Sequence, residues 1–269
     1  MGGKGHLTFG MRMVGTKKSL GQHWLKNREI LNEIADLSAV GFSANTEVAP
    51  LCVEIGPGLG FLTSSLLKRF EKVIAVEYDD RLAANLPKSF PGTGLEVVHG
   101  DILEYDFARI DGSYVVAGNI PYYITSPIIE KVLTCEKLPE RVVLLMQKEV
   151  AERIVSERET VLSLFVKNRA AVTAGPVVPA REFTPPPKVD SQVLVMDPFR
   201  DGPVVPDEVF RLIRRGFASP RKKLVHNLAG LCSRDKLMAV FSEVGISSDV
   251  RPGEVHLEEW KKLYEILEA

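Results

Sequence analysis

Short apolar segments alternate with segments of helical periodicity through the first two thirds of the chain. The apolar segments lie at 51–55, 73–76, 95–98, 114–117 and 142–146. Apolar residues recur at helical spacing at 28–37, 62–70, 127–133 and 149–155. Strands that alternate with helices in this way predict an α/β fold in which a doubly wound parallel sheet is covered by helices on both faces.

The pattern changes after Val172. Prolines at 176, 179 and 185–187 predict a stiff, extended connector, and the alternation at 192–196 predicts one more strand. From residue 206 onward the periodicity is helical, with a final helix over 257–267. Glycine and proline cluster near 198–206, which places a domain boundary there. We therefore expect a disordered extension over 1–16, an α/β domain over 17–200 and a small all-α domain over 201–269.

Composition places the chain among ordinary globular proteins. It has 269 residues, 45% of them hydrophobic and 26% charged, which excludes disordered proteins, collagen-like repeats and disulfide scaffolds. The three cysteines lie far apart without a C-x-x-C pair, so we expect no metal site and a reducing, cytoplasmic compartment. No apolar run is long enough for a membrane span or a signal peptide, so we expect no membrane partner.

Polar or acidic residues stand where the predicted strands end. They are Glu54, Glu77, Asp101, Asn119 and Gln147. Ligands of parallel α/β sheets bind beyond the carboxyl ends of the strands. The sequence therefore predicts a binding site at this edge of the sheet.

A glycine-rich turn, containing Gly56, Gly58 and Gly60, follows the first predicted strand and opens a helix. Glycines here let the backbone approach a ligand closely. The G-x-G-x-G spacing differs from the dinucleotide fingerprint, which disfavours a nicotinamide dehydrogenase. The Glu77 carboxylate can accept hydrogen bonds from both hydroxyls of a ribose. The Asp101 carboxylate can accept a hydrogen bond from the exocyclic amine of an adenine. An adenosine site without a pyrophosphate fingerprint favours S-adenosylmethionine as the cofactor.

The segment Asn119-Ile120-Pro121-Tyr122 follows the fourth predicted strand. The N6 amine of adenine is a poor nucleophile because its lone pair is delocalised into the ring. A site that accepts two hydrogen bonds from this amine, through the Asn119 side chain and a carbonyl near Ile120, would draw it toward sp3 geometry. Pro121 fixes the local φ, and Tyr122 can stack on the base. Positioning and polarisation then supply most of the rate, so no general base is needed.

Six segments together resemble the ribosomal RNA adenine N6,N6-dimethyltransferases, and within them the bacterial small-subunit (KsgA) type. They lie at 17–25, 53–60, 100–101, 118–122, 146–153 and 183–191. These segments run in family order over roughly residues 17–230, and their combination is highly specific. The resemblance implies a Rossmann-like methyltransferase sheet that uses S-adenosylmethionine, with a small C-terminal all-α domain.

The resemblance also implies roles for individual residues. It implies that Tyr122 and Phe183 sandwich the target adenine. It implies a cofactor site lined by His23, Leu25, Gly56, Glu77, Asp101 and Asn119. The loop at 156–160 is shorter than the family's and mixed in charge, so no contacts are carried over to it.

Positive charge is concentrated in two parts of a chain whose net charge is −1. The segment 4–28 contains six Lys and Arg residues and no acid, among them Lys17 and Lys18. The segment 211–236 contains Arg211 and the predicted RNA-binding residues Arg214, Arg215, Arg221, Lys222 and Lys223. Two basic surfaces beside an adenine pocket favour phosphate contacts along a folded RNA. The target base has to leave its stack, which favours a loop over a duplex.

The activity that the resemblance implies is dimethylation of N6 on each of two adjacent adenosines in a loop of 16S ribosomal RNA. We expect a monomer whose partner is the small ribosomal subunit. Two alternatives stay open: dimethylation of 23S ribosomal RNA in the large subunit, and a ribosome-assembly factor in which catalysis is secondary.

Overall fold

The computed structural model of the protein describes residues 22–41 and 49–268. Strands in these ranges are β1 (Trp24–Leu25), β2 (Ala49–Ile55), β3 (Phe70–Glu77), β4 (Leu95–His99), β5 (Val115–Asn119), β6 (Val142–Gln147), β7 (Ala170–Val178), β8 (Phe183–Thr184) and β9 (Ser191–Pro198). Helices are α1 (Arg28–Ala39), α2 (Thr63–Leu66), α3 (Asp80–Ser89), α4 (Thr125–Thr134), α5 (Lys148–Val155), α6 (Val161–Lys167), α7 (Val209–Gly216), α8 (Leu224–Asn227), α9 (Arg234–Val244) and α10 (Leu257–Glu268). The predicted extension over 1–16 lies outside the described residues.

Seven strands form one sheet in the order β4-β3-β2-β5-β6-β9-β7. The pairs among β2 to β6 are parallel, as the alternation of strands and helices predicts. The strand predicted at 192–196 is β9, to which the pattern assigned no direction, and it runs antiparallel between β6 and β7. An antiparallel partner needs no crossover helix, so β9 can follow β7 after the short connector alone.

The extended connector is shorter than predicted because Pro176 lies inside β7. The register of β7 against β9 shifts between Ala174 and Val177, the interval that contains Gly175 and Pro176. Proline cannot donate to a strand ladder, and it is tolerated in an edge strand at such an irregularity. The connector therefore covers only 179–190.

A second sheet contains only β1 and β8, which pair antiparallel. Trp24 lies opposite Thr184, and Leu25 lies opposite Phe183. The sheet joins the segment before α1 to the connector. A strand of two residues has no periodicity, so the sequence pattern contains no sign of it.

Helix α2 is shorter than the predicted 62–70 segment. It ends at Leu66, and the chain joins the sheet from Phe70 onward. The apolar residues at the end of the predicted segment therefore belong to a turn and a strand.

The sequence pattern does not predict helices α3 and α6. Helix α3 begins after Asp79, whose carboxylate caps it by accepting from the Arg81 amide at 3.0 Å. Only a narrow face of α3 is buried, which includes Leu82 and Leu86. Pro87 lies inside α3, and proline in a sequence usually indicates the end of a helix, so the pattern did not predict a helix here.

The C-terminal helices pack directly on the α/β part of the chain. One hydrophobic cluster contains buried residues from both sides of the predicted boundary. The rings of Phe165 and Phe210 meet edge to face at 6.0 Å, and the Arg169 guanidinium lies 4.2 Å from the Phe165 centroid. Asn168 both donates to and accepts from the backbone of Val205. The boundary at 200–201 stays a prediction, and the two parts share a core.

No helix among residues 22–41 and 49–268 is both long enough and apolar enough to cross a lipid bilayer.

Gly216→Ala should destabilise the helical part of the protein. An added Cβ at Gly216 would lie 2.3 Å from Cη2 of the fully buried Trp260, and α7 and α10 would have to separate. We expect a loss of roughly 1–3 kcal/mol in the free energy of unfolding, measured by urea denaturation.

The matched control is Gly100→Ala, because a Cβ at Gly100 would meet no atom within 4 Å. Equal stability of Gly216→Ala and the parent protein would contradict the close packing of Gly216 against Trp260.

Candidate active site

A cavity of about 330 Å³ opens at the carboxyl edge of the parallel strands. Its walls come from the turns after β2, β3, β4 and β5 and from the segment 22–25. Nine predicted site residues line it: His23, Leu25, Gly56, Gly58, Glu77, Asp101, Asn119, Pro121 and Tyr122. The structure thus brings the two predicted halves of the site, adenosine recognition and the Asn-Ile-Pro-Tyr segment, into one cavity.

The glycine-rich turn forms one wall of the cavity. Gly56 and Gly58 have φ of 62° and 58°, a conformation that residues with a side chain rarely adopt. A Cβ on Gly58 would also lie 3.2 Å from Nε1 of Trp24. Both positions therefore favour glycine, and the turn leaves its backbone accessible to a ligand.

Glu77 holds this turn in place. Its side chain is buried, and its two carboxylate oxygens accept hydrogen bonds from the amides of Gly58 at 3.0 Å and Asp79 at 2.8 Å. Burial raises the pKa of Glu77, while the hydrogen bonds from these amides lower it. Since each carboxylate oxygen can accept a second hydrogen bond, Glu77 can also receive two hydroxyl groups.

Asp101 lies at the same edge of the sheet, after β4. Its Oδ1 accepts a hydrogen bond from the Leu103 amide at 2.9 Å, and the residue is half-buried. The preceding Gly100 amide donates to the Glu77 carbonyl at 3.0 Å. This contact joins the backbone segments that carry the two acids predicted to bind one adenosine.

Asn119 is oriented by the segment before β1. Its Nδ2 donates to the carbonyl oxygen of His23 at 2.9 Å. Because a carbonyl can only accept, the amide nitrogen must face His23, and Oδ1 stays available as an acceptor. The next residue is fixed by a hydrogen bond from the Ile120 amide to the Leu145 carbonyl at 3.2 Å. Asn119 and Ile120 both line the cavity, and each has an acceptor oxygen that these hydrogen bonds do not use: Oδ1 of Asn119 and the backbone carbonyl of Ile120.

Tyr122 is anchored at its hydroxyl, which lies 2.7 Å from Oγ of Ser191. Burial raises the pKa of Tyr122, so the phenol stays protonated at neutral pH. Its ring lies 6.1 Å from the His23 ring, with 19° between the ring planes. Tyr122 can therefore act as a rigid stacking surface.

Phe183 is buried beside the cavity wall residue Leu25 and does not itself line the cavity. The residue is 3% exposed and packs in the cluster that contains Leu25. The structure places the ring of His23, and not that of Phe183, nearly parallel to Tyr122. A sandwich of the adenine by Tyr122 and Phe183 stays a prediction.

Four further polar residues line the cavity: Gln22, Glu54, Tyr78 and Tyr123. Glu54 was predicted only as a strand-end acid at this edge, and Tyr78 and Tyr123 were not predicted. Tyr78 and Tyr123 are 63% and 62% exposed, unusual for such large side chains. Each directly follows a predicted site residue, Glu77 or Tyr122, and that position was the only sequence signal. Glu54 is the penultimate residue of β2 and is buried, and it accepts a 2.6 Å hydrogen bond from Thr63 Oγ1.

The predicted basic surface of the C-terminal part is exposed to solvent. On α7, Leu212 and Ile213 are buried and the arginines face outward, as the periodicity indicates. Exposed residues are Arg214, Arg215, Arg221, Lys222 and Lys223. We refer to these five residues as the basic cluster.

Two members of the basic cluster also make internal contacts. Arg215 donates to the Ala229 carbonyl at 3.1 Å, and Lys223 pairs with Asp249 at 2.6 Å. The other predicted basic residues, Lys17 and Lys18, lie outside the described residues.

A family profile of ribosomal RNA adenine dimethylases matches residues 13–269. The chain belongs to this family. It is 36% identical over 276 residues to a ribosomal RNA small subunit methyltransferase A of Rippkaea orientalis, covering 96% of this chain and 99% of the relative. It is 38% identical over 259 residues to the protein of the same name from Dehalococcoides mccartyi, covering 92% of this chain and 87% of the relative.

Solved structures with the same fold include a dimethyladenosine transferase from Plasmodium falciparum. The TM-score is 0.77 and the sequence identity is 28%. The aligned region covers 91% of this chain and 98% of the Plasmodium chain. The 23S rRNA methyltransferase ErmE has a TM-score of 0.71 at 24% identity, covering 91% of this chain and 100% of its own. The likeness to ErmE shows the shared fold alone. Together these structures confirm the predicted methyltransferase sheet with C-terminal helices.

Glu54→Gln should change how stability depends on pH. Burial, together with the nearby charge of Glu77, raises the pKa of Glu54 from 4.5 to about 8. The folded state therefore holds a proton that the unfolded chain releases near pH 4.5, so the parent protein loses stability as pH rises toward 8. Between these values, we expect the parent's free energy of unfolding to fall by about 1.4 kcal/mol per pH unit more than the variant's.

Urea denaturation at a series of pH values measures this slope. The glutamine introduced by Glu54→Gln keeps an acceptor for Thr63 Oγ1, so the variant tests the proton alone. Identical slopes for the two proteins would show that Glu54 is ionised in the folded state.

Proposed function

We propose that the protein transfers methyl groups from S-adenosylmethionine to N6 of two adjacent adenosines in a loop of 16S ribosomal RNA, dimethylating each. The main support for this proposal is the orientation of Asn119. Its Nδ2 is held by the His23 carbonyl, and its Oδ1 is left to accept a hydrogen bond from an amine. Family membership and the names of the relatives support the same substrate.

The residues of the cavity fit S-adenosylmethionine. The cofactor carries an adenosine, for which Glu77 offers acceptor positions to the ribose hydroxyls and Asp101 an acceptor to the base amine. The turn at Gly56 leaves room for the backbone to approach it, since even an added Cβ at Gly56 would meet no atom within 4 Å. When bound, the cofactor supplies an electrophilic methyl group on a sulfonium.

Catalysis in this proposal depends on how the chain holds the target amine. In the first transfer, Asn119 Oδ1 and the Ile120 carbonyl accept hydrogen bonds from the two N6 hydrogens, which draws the nitrogen toward sp3 geometry and localises its lone pair. The methylated nitrogen then releases one proton to water, and in the second transfer the one hydrogen that remains is held in the same way. Both residues are held before the substrate arrives, Asn119 by His23 and Ile120 by Leu145. Preorganised acceptors need no rearrangement during the reaction. Tyr122 is protonated and acts as a stacking surface, not as a base.

The basic cluster is proposed to contact RNA phosphates. Because the chain as a whole is nearly neutral, its attraction for RNA comes from the positive electrostatic field of the basic cluster. Salt screens this field, so the affinity for RNA depends strongly on the salt concentration. Lys17 and Lys18 are proposed to contribute further phosphate contacts. Phe183 is proposed to take part in holding the base, which requires its ring to leave the cluster around Leu25.

The small-subunit substrate is favoured over 23S ribosomal RNA by sequence identity. The relatives named as small-subunit enzymes are 36% and 38% identical, and the 23S enzyme ErmE is 24% identical. A role in assembly of the small subunit is compatible with catalysis by the same protein. We also propose that the protein acts as a monomer in the cytoplasm, where the reduced state of its three cysteines is maintained.

Asn119→Ala should abolish methylation while the protein still folds. Loss of the side-chain acceptor removes half of the proposed polarisation, and we expect kcat to fall by at least about 10³-fold. Binding of S-adenosylmethionine, measured by calorimetry, should weaken by less than about tenfold because Glu77 and Asp101 are unchanged.

The substrate for this assay is unmethylated small subunits, and mass spectrometry of the rRNA gives the modified positions. Large subunits serve as the comparison substrate. Methylation by Asn119→Ala at the parent rate would refute the proposed role, and modification of large subunits alone would refute the proposed substrate.

Neutralising the basic cluster should weaken RNA binding with little effect on the chemical step. For the triple variant Arg214→Ala, Arg221→Ala and Lys222→Ala, we expect the slope of log affinity against log salt to decrease by about one per lost phosphate contact. Filter binding of the small subunit at several salt concentrations measures this slope.

Lys262→Ala is the control, because Lys262 is exposed on α10 and lies outside the basic cluster in sequence. If the slope of log affinity against log salt is the same in the triple variant as in the parent, the basic cluster is not part of the RNA-binding surface.

A further inference from the structure

His23 makes two hydrogen bonds that join different parts of the active site. Its carbonyl oxygen accepts from Asn119 Nδ2 at 2.9 Å. Its imidazole Nδ1 lies 2.7 Å from the carbonyl oxygen of Pro185. Since the Pro185 oxygen can only accept, Nδ1 must carry the hydrogen. One residue thus connects the proposed methyl-acceptor site to the connector between β7 and β9.

The position of the His23 carbonyl depends on how this segment is held. The strand β1 pairs with β8, and the Lys26 amide donates to the Glu182 carbonyl at 3.3 Å. Asn27 adds a side-chain hydrogen bond to Glu182 at 2.9 Å. These contacts all lie on the C-terminal side of His23. The imidazole bond is what ties His23 itself to the connector.

We infer that His23 is a positioning residue for methyl transfer, because its imidazole fixes the backbone carbonyl that orients the Asn119 amide. A residue that only contacts the cofactor needs to line the cavity and nothing more. The positioning role requires in addition the hydrogen bond from the imidazole to Pro185. The inference rests on the proposed function, since the Asn119 oxygen matters only if it accepts the target amine. It also assigns the two-stranded β1–β8 sheet a part in catalysis, because the sheet holds the connector beside His23.

Two substitutions separate the positioning role from cofactor contact. His23→Ala removes the donor to Pro185, and we expect kcat at saturating S-adenosylmethionine to fall about tenfold. In His23→Asn the Nδ2 atom stands the same number of bonds from the backbone as the imidazole Nδ1, so it can donate to the same carbonyl. We expect His23→Asn to restore kcat to within about twofold of the parent. A residue that only contacts the cofactor would change KM for the cofactor and leave kcat unaltered.

Glu182→Ala is the matched control for general loosening. It removes the acceptor for Asn27 on the same two segments but leaves both hydrogen bonds of His23 intact. We expect kcat of this variant to stay within about twofold of the parent. If kcat of Glu182→Ala fell as far as kcat of His23→Ala, the inference would be overturned. Any disturbance of the connector would then be enough to lower kcat.

An NMR measurement on the protein without cofactor or RNA tests the inference independently of turnover. The side-chain amide signals of Asn119, assigned by their absence in Asn119→Ala, report its hydrogen bond to His23. We expect His23→Ala to shift these signals and speed their solvent exchange, and His23→Asn to leave them near the parent positions. Unchanged signals in His23→Ala would overturn the inference even if the parent methylates RNA. Shifted signals with a parent that methylates no adenosine would support the contact and refute the proposed function alone.

Discussion

The parallel register of β2 with β3 and β5 determines which side chains meet in the active site. Ile55 lies opposite Val76 on one side and Gly118 on the other. The residues that come next, Gly56, Glu77 and Asn119, therefore emerge at the same level of the sheet. A slip of one residue in either pairing would turn alternate side chains to the opposite face and separate the acid from the amide.

Burial and hydrogen bonding orient the acids at this edge of the sheet. Glu77 is held by the amides of Gly58 and Asp79, and Glu54 by the hydroxyl of Thr63. Removal from water favours the protonated form of Glu54, which limits repulsion between two acids that line one cavity. Hydrogen bonds to backbone groups then fix where the remaining acceptor positions of Glu77 point. The cavity can in this way recognise the hydroxyl and amine groups of a ligand by geometry.

Charge is distributed along the chain in a way that the net value conceals. The net charge of −1 argues against a protein that binds nucleic acid over its whole surface. The exposed arginines of α7 lie away from the buried Leu212 and Ile213. One face of this helix therefore packs in the core, and the other presents positive charge to solvent. A local basic surface, in a chain whose cavity is lined by acids, suits a protein that binds one structured RNA and draws a single base inward.

Local patterns in the sequence were sufficient to predict the strands of the parallel sheet, the glycine turn, the strand-end acids and the Asn-Ile-Pro-Tyr segment. Periodicity and turn chemistry depend on residues that lie within a few positions of one another, so these features can be predicted without knowledge of distant contacts. The reversal of β9, the pairing of β1 with β8, the burial of Phe183 and the hydrogen bond from Asn119 to His23 became known only from the folded chain. Each joins residues far apart in the sequence, and most do so through backbone groups. Because every residue carries such groups, no residue type marks these contacts in advance.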